Sequence, residues 1–264
     1  MWSNPKALSV STLLRLLAEK PVQWIFDWDG TLVDLADHPR AIRVPASLIR
    51  DLGTIQEHSS YPLVILSGRS LADLEEFIPL SDITLIGNHG AQWRVGGAKT
   101  VIPPDPQAQA SLKALTEPLN GLRDRFRKSS WEDKQFTISF HMRQVDRRQW
   151  KELGEQLARL VEDHTHLQLR PADACWEIRP KYGATKGDAV QMLFRDHPNS
   201  VRPVVFGDDW TDEDAFEAAN QDGITVIIGS RRPTRARYHV ATPADLREIL
   251  SQVARFLLSG QGRL

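Results

Sequence analysis

Five short apolar runs limit the fold more than any other feature of the chain. They are Val22–Phe26, Leu63–Leu66, Ile83–Ile86, Val204–Phe206 and Ile224–Ile228. Each is strand-length, and most are rich in β-branched residues. Helical patterns separate them at Ala46–Glu57, Leu71–Ile78, Lys186–Phe194 and Asp212–Ala219. Strands that are apolar nearly throughout, alternating with helices, predict a parallel sheet covered on both faces.

The middle of the chain follows a different pattern. After the proline-rich Val101–Pro106, a helical stretch runs to about Arg127. The stretch KQFTISFHMR then alternates, with Phe136, Ile138 and Phe140 on one face. Another helical stretch, Arg147–Asp163, precedes HLQLR and ACWEIRP. Alternating strands with helices predict a small α+β domain with an antiparallel sheet open on one face. It is expected as an insertion of residues 105–178 into a core made of residues 1–104 and 179–264.

Of the 264 residues, 41% are hydrophobic and 25% charged, enough to bury a real core. The net charge of −1 argues against bulk binding to nucleic acid or an acidic membrane. No window approaches the length of a membrane span. Near the N-terminus, Leu8, Leu13, Leu14 and Leu17 fall at helical spacing without a cleavage signal, which reads as an amphipathic helix. One cysteine, Cys175, cannot staple the fold. These features together predict a cytoplasmic protein, expected as a monomer.

The first apolar run ends in Asp27, with Asp29 two residues on and Gly30 and Thr31 after it. Ligands of open α/β sheets bind at the carboxyl ends of strands. Paired acids there repel unless a cation sits between them or one is protonated. A calcium loop does not fit: counting from Asp27, the sixth position is Leu32 rather than glycine and the twelfth is His38 rather than glutamate. A solvated acidic turn is the bland alternative. Three further element ends weigh against it. The second run ends in Ser67–Gly68–Arg69, the fourth in GDDWTDED from Gly207, and Lys186 opens a helix in GATKGDAV. Singly, Ser67 reads as a helix cap, Lys186 as a surface lysine, and Asp208–Asp214 as a loop capped by Thr211. Jointly they place carboxylates, a hydroxyl and an ammonium on one sheet edge. That set suits Mg²⁺, a hard cation preferring oxygen ligands, together with a phosphoryl group.

Those motifs, DWDGT at 27–31, Ser67, Lys186 and GDDWTDED at 207–214, resemble the haloacid dehalogenase superfamily. The resemblance implies a Rossmann-like parallel-sheet core with an inserted α+β cap. It places the nucleophile on Asp27 and the general acid/base on Asp29, and gives Ser67 and Lys186 the transferring phosphate. It gives Mg²⁺ to the Asp27 carboxylate, the Asp29 backbone carbonyl and Asp208, with Asp209 and Asp212 in support. The stretches SGR, GNHGA at 87–91, WEDKQFTISFHMR at 131–143 and WEIRPKYGATKG at 176–187 are similar to the trehalose-6-phosphate phosphatase family. That likeness implies substrate binding by Ser67, Gly68, Arg69 and Lys186, and binding of the distal sugar by cap residues Glu132, Lys134 and Glu177. Gln92 departs from it, since the family usually has Glu after HGA.

The expected reaction is Mg²⁺-dependent hydrolysis of trehalose 6-phosphate through an aspartyl-phosphate. A capped sucrose- or glucosylglycerol-phosphate phosphatase, a hexose phosphomutase, and a non-catalytic binding protein remain as rivals. Trp28 and Trp210 lie inside the acidic motifs and read equally as site walls or as core.

Overall fold

The computed structural model describes residues 2–36, 39–172, 174–195, 200–219, 222–229 and 232–260. By its contacts the chain divides into two units, Met1–Thr100 with Thr185–Leu264, and Val101–Ala184. In chain order the first unit supplies β1 (Lys6–Ala7), α1 (Val10–Leu17), β2 (Val22–Phe26), α2 (Ala46–Glu57), β3 (Val64–Leu66), α3 (Leu71–Phe77), β4 (Thr84–Gly87), β5 (Gln92–Val95) and β6 (Ala98–Val101). The second follows with α4 (Pro106–Ala114), α5 (Thr116–Arg125), β7 (Ser130–Asp133), β8 (Ile138–His141), α6 (Trp150–Glu162), β9 (Leu167–Ala172) and β10 (Cys175–Pro180). The chain returns with α7 (Lys186–Phe194), β11 (Arg202–Gly207), α8 (Asp212–Ala218), β12 (Ile224–Ile228), β13 (Tyr238–Val240) and α9 (Pro243–Leu258).

The first unit's sheet runs in the order β1-β13-β12-β11-β2-β3-β4-β5-β6. Strands β2, β3 and β4 grow outward on one side, and β11, β12 and β13 on the other, all parallel. The direction of growth reverses between β2 and β11, which is where a ligand crevice opens in sheets of this kind. All five side chains of β2 are buried, as expected for a strand covered on both faces. Trp24, Phe26 and Phe206 form a near-parallel trio, with ring centres 5.7, 4.8 and 6.1 Å apart pair by pair. Leu13, Leu48, Leu52 and Leu250 from α1, α2 and α9 join them in one apolar layer. Each such side chain contributes roughly 1.5–3 kcal/mol by leaving water.

One edge departs from the all-parallel expectation: β5 runs antiparallel to β4. Gly96 and Gly97, at φ 53° and 84°, join it to β6, the pairing of conformations that a two-residue hairpin turn needs.

The second unit has a four-stranded antiparallel sheet, β7-β8-β10-β9. Helices α4, α5 and α6 cover one face, with Leu112, Leu119, Leu122, Leu153 and Leu157 packed on Ile138, Phe140 and Ile178. Gly154 lets α6 approach closely, since a Cβ there would lie 2.9 Å from the Trp176 ring. The single helix expected over 147–163 is divided. A 3₁₀ turn, Arg147–Gln149, precedes α6, started by Asp146 accepting the Arg148 N–H at 3.0 Å. No helix among the described residues is long and apolar enough to cross a membrane.

Candidate active site

Asp27 leaves the end of β2 with its backbone N–H donating to the Phe206 carbonyl at 2.9 Å, so the neighbouring strand holds it in place. The acidic run after β11 is brought to the same edge. Gly30 makes this approach possible: its φ is 76°, and a Cβ there would lie 2.1 Å from Asp208 Oδ2. Carboxylate oxygens of Asp27, Asp208 and Asp212 all fall within 4.8 Å of one another.

Lys186 is the first residue of α7, whose start is fixed by a reciprocal cap between Thr185 and Asp188. It is only 3% exposed, not a solvated surface lysine. Its ammonium donates to Asp27 Oδ1 and Asp212 Oδ1, both at 2.7 Å. Burial works against its charge, but the attraction of Asp212 and Asp27 is greater in sum and holds it protonated. Asp212 Oδ2 accepts the backbone N–H groups of Asp208 and Asp209 at 3.1 and 3.0 Å. Thr211 makes no side-chain cap, so Asp212 rather than Thr211 organises the turn into α8.

The cluster holds more negative charge than one lysine balances. Burial, with the charges of Asp212 and Asp29 adding and Lys186 opposing, pushes the Asp27 carboxyl up to about 7. Asp208 is raised well above the usual carboxylate range by burial and by Asp27, Asp212 and Asp209. Asp209 is raised too, chiefly by burial, while its Oδ1 accepts the Trp210 N–H at 2.6 Å. Thr31 Oγ1, fully buried, lies 3.4 Å from Asp27 Oδ2 and 3.3 Å from Asp208 Oδ1. An all-oxygen donor set with crowded negative charge fits a hard divalent cation.

Asp29 is turned to a different partner. Its carboxylate receives Arg69 Nε and Nη2, each at 2.6 Å. The guanidinium also lies 5.2 Å from the centre of the Phe77 ring. Ser67, 1% exposed, accepts the Arg69 N–H at 3.2 Å and so closes the turn through Gly68. It does not cap α3; Ser70 does, accepting the Asp73 N–H at 3.1 Å.

In the second unit, strand register aligns Glu132 on β7, Ser139 on β8 and Glu177 on β10 across one rung, with Arg170 on β9 continuing it. This is the sheet face away from Ile138, Phe140 and Ile178. His141 Nε2 lies 3.6 Å from Glu132 Oε2. Lys134 enters the tight turn between β7 and β8 with its N–H on the Thr137 carbonyl at 2.9 Å. The Cys175 thiol is pushed up to about 12, chiefly by burial, and the charges of Lys134, Glu177 and Glu132 all act on it.

Sequence reasoning passed over several residues. No local pattern gives Thr31 a role beyond its place after Gly30, and none pairs Arg69 with Asp29. Glu213, 2% exposed, accepts from Arg232 Nη1, Thr234 Oγ1 and the Arg235 N–H at 2.6, 2.7 and 2.8 Å. Its place in GDDWTDED was the available signal. Trp28 is fully buried in the core, whereas Trp210 is 56% exposed with the Arg232 guanidinium 4.1 Å above its ring centre.

The family model for trehalose-phosphatase matches residues 25–244. Over 236 residues the chain is 29% identical to trehalose-6-phosphate phosphatase of Escherichia coli (strain K12), covering 89% of this chain and 87% of that one. Over 277 residues it is 27% identical to trehalose 6-phosphate phosphatase RA3 of Zea mays, covering 96% and 76%. The C-terminal domain of the C. albicans trehalose-6-phosphate phosphatase has the same fold, with a TM-score of 0.84 at 22% identity over 96% of this chain and 99% of that one. The fold is α/β, a Rossmann-like parallel-sheet core with a smaller α+β unit, and the chain belongs to the trehalose-phosphatase family of phosphoric monoester hydrolases.

Proposed function

We propose that the chain hydrolyses trehalose 6-phosphate to trehalose and inorganic phosphate in two displacements. The observation that carries the reading is the Asp27–Lys186–Asp212 bridge beside Asp208, at a sheet switch point in a trehalose-phosphatase chain. Asp27 attacks phosphorus in line, and the phosphoryl group passes to its carboxylate as an aspartyl-phosphate. Asp29, once released from the Arg69 fork and protonated from solvent, gives that proton to the departing sugar oxygen, so trehalose leaves neutral. The same carboxylate then takes a proton from water as that water attacks phosphorus and frees Asp27.

Lys186 holds a phosphoryl oxygen and offsets its charge, which permits one anion to approach another. Ser67, Gly68 and Arg69 form the turn that receives the remaining oxygens. Mg²⁺ would be held by the Asp27 carboxylate, the Asp29 backbone carbonyl and Asp208, with Asp209 and Asp212 in support, and supplies charge neutralisation there. In the second unit, read as a substrate-specificity cap, Glu132, Lys134 and Glu177 bind the distal glucose. Charged side chains make the stronger hydrogen bonds to sugar hydroxyls, and the register of Glu132 with Glu177 puts two of them on one face.

The test is phosphate release with Mg²⁺ from trehalose 6-phosphate, sucrose 6-phosphate, glucose 6-phosphate, glucosylglycerol phosphate and an aryl phosphate. A large preference for trehalose 6-phosphate is expected. Preference for another sugar phosphate would keep Asp27 and Asp29 in their roles and remove those of Glu132, Lys134 and Glu177. No release from any of them would remove the reading altogether.

A further inference from the structure

The turn Asn88–His89–Gly90, within GNHGA, has no part in the reaction as described, yet its backbone is costly. Three consecutive residues stand at positive φ: Asn88 at 47°, His89 at 56° and Gly90 at 116°. Asn88 and His89 are 2% and 6% exposed. Strained left-handed residues persist where the surroundings over-determine them, and they cluster at functional sites. Glycine takes this conformation at lower cost than histidine, so the backbone alone does not call for a histidine.

The surroundings do. The Asn88 N–H donates to the Arg69 carbonyl at 2.7 Å, and the His89 N–H to the Ser67 carbonyl at 3.0 Å. Gln92 Oε1 accepts from the Leu71 N–H and from Asn88 Nδ2, both at 2.9 Å, which locks the turn to the start of α3. On its other side the turn packs against α7, the helix that begins with Lys186. The imidazole fills the space beside Gly68: a Cβ there would lie 2.6 Å from His89 Cε1 and 2.7 Å from Nε2. The turn is thus wedged between the two segments that carry Ser67 and Lys186.

We propose that His89 is a positioning residue for the phosphoryl group, its ring setting the Ser67–Gly68–Arg69 turn through contact with Gly68. This rests on the reading that the turn receives phosphate oxygens. A small misplacement of such a turn is costly to catalysis even without loss of a direct contact.

The experiment compares His89→Gly, Gly68→Ala and the double variant with the unaltered chain. It reads inorganic phosphate affinity by calorimetry with Mg²⁺ present, KM and kcat for trehalose 6-phosphate, and the thermal midpoint. Glycine at 89 removes the left-handed strain, and that gain offsets the packing lost with the ring. His89→Gly is expected to weaken phosphate binding and lower kcat/KM by about tenfold with no fall in midpoint. Gly68→Ala is expected to be damaging alone but to add little in the His89→Gly background, where the ring it meets is gone. Unchanged phosphate affinity in His89→Gly overturns the proposal. So does a loss accompanied by a lowered midpoint, or a Gly68→Ala cost equal in both backgrounds. Absence of turnover by the unaltered chain would remove the phosphatase reading instead, and phosphate binding alone would then decide the role of His89.

Discussion

Arg69 grips Asp29 with two nitrogens at 2.6 Å each, and the Phe77 ring backs its guanidinium. A planar fork holds a carboxylate in one orientation, which a lysine cannot reproduce. In the proposed reaction this fork holds Asp29 as the carboxylate and must release it before it carries a proton, so its geometry governs when the donor is available. Arg69→Lys is therefore expected to lose most of the activity that Arg69→Ala loses, about 10²-fold in kcat/KM for each. Near-full activity in the lysine variant would show that charge alone suffices at this position.

Asp27→Asn separates chemistry from stability. Turnover is expected to vanish, because a carboxamide is no nucleophile toward phosphorus. Stability at about pH 8 in chelator is expected to hold or rise. Burial raises the Asp27 carboxyl from 3.8 to about 7, so its charged form costs on the order of 4 kcal/mol, which the amide removes. Calorimetric melting and a phosphate-release assay check both arms. Substantial residual hydrolysis would remove the nucleophile assignment.

Cation binding should depend on pH in a stated direction. Asp27 and Asp208 hold protons more tightly in the folded protein than in the unfolded chain. In chelator, their contribution to stability therefore falls as pH rises from about 4 to about 7. A divalent cation competes with those protons, so its apparent affinity rises over the same interval and then levels off. At about pH 6 it should be roughly tenfold below the plateau. Melting with and without Mg²⁺ across that range reads the effect, and an increment independent of pH would contradict it.

Glu177→Gln and Glu132→Gln address the sugar-binding assignment. Each is expected to raise KM for trehalose 6-phosphate by about tenfold while leaving hydrolysis of a small aryl phosphate unchanged, since only the disaccharide needs that face. Equal losses on both substrates would mean that these residues support the fold or the chemistry rather than specificity.

Elements with unambiguous punctuation were legible to the residue. Val22–Phe26 is apolar but for Gln23 until Asp27 stops it, and Lys186–Phe194 follows a threonine cap. The candidate site was legible where one residue type sits at a strand end, as with Asp27 and Asp208. The β5–β6 hairpin was missed because Gln92–Val95 and Ala98–Val101 are short and carry Arg94 and Lys99, although Gly96–Gly97 was a readable turn signal. The parallel pairing of Lys6–Ala7 with β13 was missed because two residues show no period. The Arg69–Asp29 and Lys186–Asp212 pairs were hidden for a different reason. Residues 40 and 26 positions apart meet only after the sheet is assembled, and local patterns carry no record of that.

The unequal burial of the tryptophans has an optical consequence. Trp24 and Trp28 are sealed from solvent, whereas Trp210, its backbone N–H bound by Asp209, is open to it and lies 5.7 Å from the exposed Trp2. A soluble quencher such as iodide would silence this outer pair and spare the inner ones. The quencher-accessible emission, to which the half-buried Trp131, Trp150 and Trp176 of the second unit also contribute, then carries a signal from the acidic loop, and its change on titration with a cation reads loading of that loop without substrate and without a label.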